Sequence, residues 1–139
     1  MKHIVLSLFL LSSSFLSYAA PQKAPILTVT LNSFQLLSSS KQPILLKIHA
    51  DWCGPCKRMM PTFEKVATKF SKKVKSAKLM MKSFLDSDPV IAFLKKEYNV
   101  SINCVPTFLL IKNNKVIQIF EGSMSFDAFT AKLTKTLKK

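Results

Sequence analysis

The apolar positions along the chain change period several times, and each change marks an element. ILTVT at 26–30 reads as a strand, followed by LNSFQLLSSS as a short helix with Asn32 or Ser33 able to cap it. PILLKIHA, residues 43–50, is nearly continuously apolar, the pattern of a central strand covered on both faces. From Cys53 onward Met59, Met60, Phe63, Val66, Ala67 and Phe70 recur at spacings of three and four, which predicts a helix. Pro61 must kink it, because proline brings no N–H and its ring clashes one turn back. VKSAKLMMKSFL reads as a strand ending near Leu85, and DSDPVIAFLKKEY as a helix capped by Asp88 with Pro89 in its first turn. PTFLLI and KVIQIF, at 106–111 and 115–120, flank Lys112, Asn113 and Asn114, a hairpin signal. Gly122 precedes a last amphipathic helix carrying Phe126, Phe129, Leu133 and Leu137. The order of strand, helix, strand, helix, strand, helix, strand, strand and helix predicts one α/β domain, a central mixed sheet flanked by helices.

The first 19 residues stand apart from that pattern. MKH, then the apolar run IVLSLFLLSSSFL, then SYAA have the three-part make-up of a secretory signal, and Ser17 and Ala19 satisfy a small-x-small rule for cleavage after Ala19. The apolar core, Ile4 to Leu11 with Ser7 as its one polar residue, is too short to cross about 30 Å of hydrocarbon comfortably, so no stable membrane insertion is expected. The expectation is an exported protein, periplasmic or secreted, whose single domain occupies residues 20–139. The 21 basic and 7 acidic residues give +14, and loss of Lys2 with the leader leaves 20 against 7, or +13. Because the lysines are spread over every segment and Arg58 is the only arginine, this charge reads as a solvated basic surface and not as a nucleic-acid site. A monomer is expected.

Candidate chemistry centres on DWCGPCK at 51–57. A structural zinc site needs about four Cys or His ligands and would consume every one the chain has beyond the leader, the three cysteines Cys53, Cys56 and Cys104 plus His49, so no metal is expected. As a structural staple the pair would be weak, since closing so short a loop removes little chain entropy. A separation of two residues instead suits a disulfide that opens and closes on itself, with the first sulfur exposed at a helix start and the second one turn inside. Free backbone N–H groups and the helix dipole would lower the pKa of Cys53, the expected nucleophile, leaving Cys56 as the resolving thiol.

WCGPCK resembles the active-site motif of the thioredoxin family, and the resemblance extends along most of the chain. It includes the strand PILLKIHADWC, Pro61 with the PTFEKVA run, Asp86, Asp88 and Pro89 as a D-x-[ND]-P turn, and Val105-Pro106-Thr107, which is similar to the family's cis-proline loop. The resemblance implies a thioredoxin-like fold and a thiol:disulfide oxidoreductase, a protein-disulfide reductase whose only redox group is the Cys53–Cys56 pair. It implies protein disulfides as substrates and a groove for them formed by Trp52, Val105, Pro106 and Gly122. Gly54 and Pro55 match the reducing members, and for an exported reductase a membrane electron donor is the expected supply. A disulfide oxidase or isomerase, and a non-catalytic binding or chaperone module, are the alternatives.

Three positions stand out against that pattern. The buried acid usual six residues before the nucleophilic cysteine is replaced by Lys47, and counting back from Asp86 places Lys82 at the family's usual lysine. A lysine beneath the cysteines would favour thiolates and make the disulfide a better oxidant; alternatively Lys47 snorkels to solvent and does nothing. His49 reads as packing or as a group that tunes Cys53 near neutral pH. Cys104, two residues before Pro106, reads as a half-buried free thiol or a redox-sensitive one.

Overall fold

A computed structural model describes residues 22–139 of the chain; the expected leader and its expected cleavage site lie outside the described residues. Ten elements follow in the order β1 (Ile26–Val29), α1 (Leu31–Ser38), β2 (Ile44–His49), α2 (Gly54–Arg58), α3 (Met60–Phe70), β3 (Lys75–Met80), α4 (Pro89–Tyr98), β4 (Thr107–Lys112), β5 (Lys115–Glu121) and α5 (Phe126–Leu137). One five-stranded sheet has the order β1-β3-β2-β4-β5. β1 and β2 run parallel to β3 on either side of it, while β2 with β4 and β4 with β5 are antiparallel. This is the α/β architecture with a mixed sheet that the sequence pattern predicts.

Alternation along β2 sends its side chains into two cores. Ile44, Leu46 and Ile48 join Phe34 of α1 and Val90, Ile91 and Leu94 of α4 on one face; Leu45 joins Phe63 and Val66 of α3 and Phe129 and Leu133 of α5 on the other. Covered on both faces, the strand has no use for polar alternation, which is why its sequence reads as a continuous apolar run. Lys47 interrupts that run on the α3/α5 side and is nevertheless only 2% exposed.

Local boundaries differ from the sequence reading in three places. Thr30 caps α1, not Asn32 or Ser33: its hydroxyl accepts from the Ser33 N–H while the Ser33 hydroxyl accepts from the Thr30 N–H, a capping box. The helix after the cysteines does not merely kink but breaks at Met59 into α2 and α3, with Pro61 in the first turn of α3, where a missing N–H costs nothing. β3 ends at Met80, five residues short of Leu85, because the Asp88 carboxylate takes the N–H groups of Lys82 and Ser83 that a continuing strand would have offered to its neighbours. The other oxygen of Asp88 caps α4 through the N–H groups of Val90 and Ile91, as the sequence predicts. The hairpin forms where predicted, but Lys112 belongs to β4, so the turn has two residues and not three, with Asn113 at φ 52° and Asn114 at φ 57°.

Candidate active site

β2 delivers the chain through Ala50, Asp51 and Trp52 to Cys53, which is the N-cap of α2. Its sulfur accepts the backbone N–H of Cys56 at 3.0 Å, an orphan donor of the first helical turn. Cys53 and Cys56 are joined by a disulfide with Cα atoms 5.3 Å apart. Both are buried, at 3% and 2% exposure, so the expected contrast between an exposed first sulfur and an inner second one is not met in the disulfide form. The reason is the loop before β4, whose Val105 carbonyl oxygen lies 3.6 Å from the Cys53 sulfur.

That loop is held from two sides. The Val105–Pro106 peptide bond is cis, and the Pro106 carbonyl accepts the N–H of Gly122 at 2.8 Å. Gly122 has φ 76°, a backbone conformation that costs glycine nothing and strains other residues. On the open flank Trp52 is 57% exposed. Its indole N–H donates to the Lys82 carbonyl at 2.9 Å, and its ring meets Phe84 edge to face at 5.6 Å between centroids. Val105, Pro106 and Gly122 are thus linked on one side of the Cys53 sulfur, while Trp52, next to Cys53 in the chain, is held from the other direction by Lys82 and Phe84. Phe84 belongs to the same rim and was hidden from sequence reasoning by the extension of β3 to Leu85.

Beneath the disulfide the charged residues fall out differently from the sequence expectation. Lys47 does not snorkel. Its Nζ donates to the Cys56 carbonyl at 2.8 Å, contacts Met60 Sδ at 3.1 Å and lies 5.8 Å from the centre of the Phe63 ring. The Cys56 carbonyl belongs to the last turn of the short α2, where no intrahelical N–H reaches it, so Lys47 acts as a C-terminal cap. Lys82 is not its companion: the Lys82 side chain is exposed, and only its backbone serves the site, by anchoring Trp52 and binding Asp88. The lysine facing Lys47 is Lys78, its register partner on β3. Counting back from Asp86 missed it because the turn between β3 and α4 is longer than that count assumes, and the pairing rests on the register between two strands.

Lys47, Lys57, Lys78, His49 and Asp51 line a cleft of about 200 Å³ with Cys56 and Met60. Burial, then the neighbouring charge of Lys78, lowers the Lys47 pKa from 10.5 to about 8. For His49, burial and the charges of Lys47 and Lys78 outweigh Asp51 and push the imidazole below its ordinary value, leaving it neutral at neutral pH. Cys104 is a half-buried free thiol, 3.8 Å from the Thr107 hydroxyl. Among the described residues no group of three or more His, Cys, Asp or Glu is placed to hold a metal ion, and no helix is long and apolar enough to cross a membrane.

A sheet of this order, with a capped cysteine pair facing a cis-proline loop, defines the thioredoxin fold class. The sequence profile of the thioredoxin family matches residues 25–135, and the chain belongs to that family. A mitochondrial thioredoxin of Bos taurus is 38% identical over 99 residues, which cover 71% of this chain and 54% of that protein. A thioredoxin of Acidithiobacillus ferridurans is 33% identical over 114 residues, covering 81% and 96% respectively. A chloroplastic thioredoxin Y of Oryza sativa is 29% identical over 110 residues and 60% of its length, so the chain spans little more than half of two of these curated relatives. The solved thioredoxin of Malassezia sympodialis superposes with a TM-score of 0.66 at 21% identity, over 86% of this chain and 96% of that one, a likeness of fold.

Proposed function

We propose that the protein is an exported thiol:disulfide oxidoreductase that reduces protein disulfides by exchange at Cys53 and Cys56. The observation that carries this reading is the Cys53–Cys56 disulfide, which caps α2 with its first sulfur and meets the Val105–Pro106 loop. In the reduced protein the Cys56 N–H stabilises a thiolate on Cys53, which attacks a substrate disulfide and displaces one substrate thiolate. The mixed disulfide at Cys53 is then attacked by the Cys56 sulfur; the Cys53–Cys56 bond re-forms and the second substrate thiolate leaves. The extended substrate segment lies between Trp52 and the Val105–Pro106 backbone, with Gly122 supporting the loop. No metal or organic cofactor takes part.

Export is supported by the composition of residues 1–19, and a soluble exported reductase would be recharged by a membrane electron donor. Replacing Cys53 with Ser is expected to abolish reduction of a model protein disulfide, while Cys56→Ser accumulates mixed disulfides that non-reducing gels resolve. Wild-type rates in Cys53→Ser would overturn the mechanism. Cell fractionation with N-terminal sequencing tests the leader: an exported protein beginning at Ala20 supports it, and a full-length protein retained inside the cell refutes it.

A further inference from the structure

Lys47 is a cation buried to 2% exposure, bonded to the backbone of the inner cysteine and without a carboxylate partner. The charged and titratable groups around it are Lys78 from β3, Lys57 from α2, and His49 and Asp51 from the end of its own strand. β4 and α3 present only uncharged groups to it, Phe108 as its register partner, then Met60 and Phe63. The balance around Cys56 is therefore positive, with Asp51, itself exposed, as the one acid lining the cleft.

We propose that Lys47 is a positioning residue that holds the Cys56 sulfur as a thiolate once the disulfide opens, so that the resolving step needs no carboxylate base and the disulfide is unusually oxidising for its sequence motif. This rests on the oxidoreductase reading above. An opposite charge nearby favours the charged form of a thiol, and in a water-poor site the effect is strong. When an external thiolate attacks Cys53, the Cys53–Cys56 bond breaks and its electron pair leaves on Cys56; a low-pKa leaving thiol departs faster. A second external thiolate then attacks the outer sulfur of the mixed disulfide, releasing Cys53 as a thiolate and completing a two-electron reduction. Stabilising the product thiolate stabilises the reduced protein, which makes the disulfide the stronger oxidant. In the disulfide form Lys47 is lowered to about 8, so it still carries its proton at neutral pH, and a thiolate forming beside it would hold that proton more firmly.

The test equilibrates the purified wild type, Lys47→Met and Lys47→Arg with defined glutathione buffers. Lys47→Met, which keeps an unbranched side chain without the charge, is expected to shift the equilibrium about tenfold toward the disulfide, ~30 mV for a two-electron couple. Lys47→Arg is expected to stay near the wild type. A shift under threefold in a folded Lys47→Met protein overturns the proposal. Should that variant fail to fold, the titration of Cys56 decides. In a Cys53→Ser, Cys104→Ser protein the only thiol left is Cys56; thiolate absorbance rising well below the ordinary value of about 8.5 supports the proposal, and a rise at or above it refutes it. A wild type that exchanges no disulfide with glutathione would sink the oxidoreductase reading itself, whereas normal exchange at an unaltered equilibrium in Lys47→Met sinks only the role of Lys47.

Discussion

Asp88 shows how much of this site one side chain can organise. Burial disfavours its charge, yet the N–H groups of Lys82, Ser83, Val90 and Ile91 together outweigh that cost and hold the carboxyl below its ordinary range. One oxygen caps α4 and the other shapes the turn whose Lys82 carbonyl anchors the Trp52 indole. An asparagine could accept with one oxygen only and would aim its own donors at the remaining N–H groups. Asp88→Asn is therefore expected to destabilise the protein by about 2 kcal/mol in denaturant titration, with altered Trp52 fluorescence. Because the folded pKa lies below the unfolded value of 3.8, the carboxylate's contribution is complete above 3.8 and disappears as pH falls through the folded pKa. The difference between wild type and Asp88→Asn should thus stay constant from pH 7 to about 5 and shrink below 3.8; a difference that does not vary with pH would mean the charge contributes nothing.

At the scale of elements, local chemistry decided the connections. In the β4–β5 hairpin both turn residues occupy the left-handed region, which matches the right-handed twist of the strands and tolerates Asn or Gly but not β-branched side chains. Asn114→Val is expected to lose about 1–2 kcal/mol of stability, while Asn114→Gly stays near the wild type; equal stabilities for the two would refute the turn assignment. The hairpin, the Asp88 cap and the cysteine spacing were all legible in the sequence, because each depends on residues within a few positions of one another. The extent of β3 was not. VKSAKLMMKSFL has strand character throughout, and only the capture of the Lys82 and Ser83 N–H groups by Asp88 ends it at Met80. Likewise Ser33 is a good capping residue in isolation, but the backbone turns into α1 at Thr30, which makes Ser33 the other half of the capping box.

For the whole molecule, the two cores hold the sheet between α1 and α4 on one side and α3 and α5 on the other. Phe129 is fully buried on α5, with ring centres 4.7 Å from Phe108 and 5.5 Å from Phe120, so it ties α5 to β4 and β5. Phe129→Ala is expected to cost about 3–5 kcal/mol by leaving a cavity between α5 and the sheet; a loss under 1 kcal/mol in calorimetry would show that α5 closes over the gap. Taken alone, the sequence determined the order of elements and the Cys53–Cys56 pair as a local unit, both from short-range periodicity, turn chemistry and spacing. The loop residues Val105, Pro106 and Gly122 were reached only through the resemblance to the thioredoxin family. Only the tertiary structure decided which lysine faces Lys47, that Lys47 is buried against Cys56 instead of reaching solvent, and that Cys53 is as covered as Cys56 in the disulfide form. Those depend on strand register and on a loop arriving from fifty residues away, and such placements are set by how whole layers pack, which no local pattern encodes.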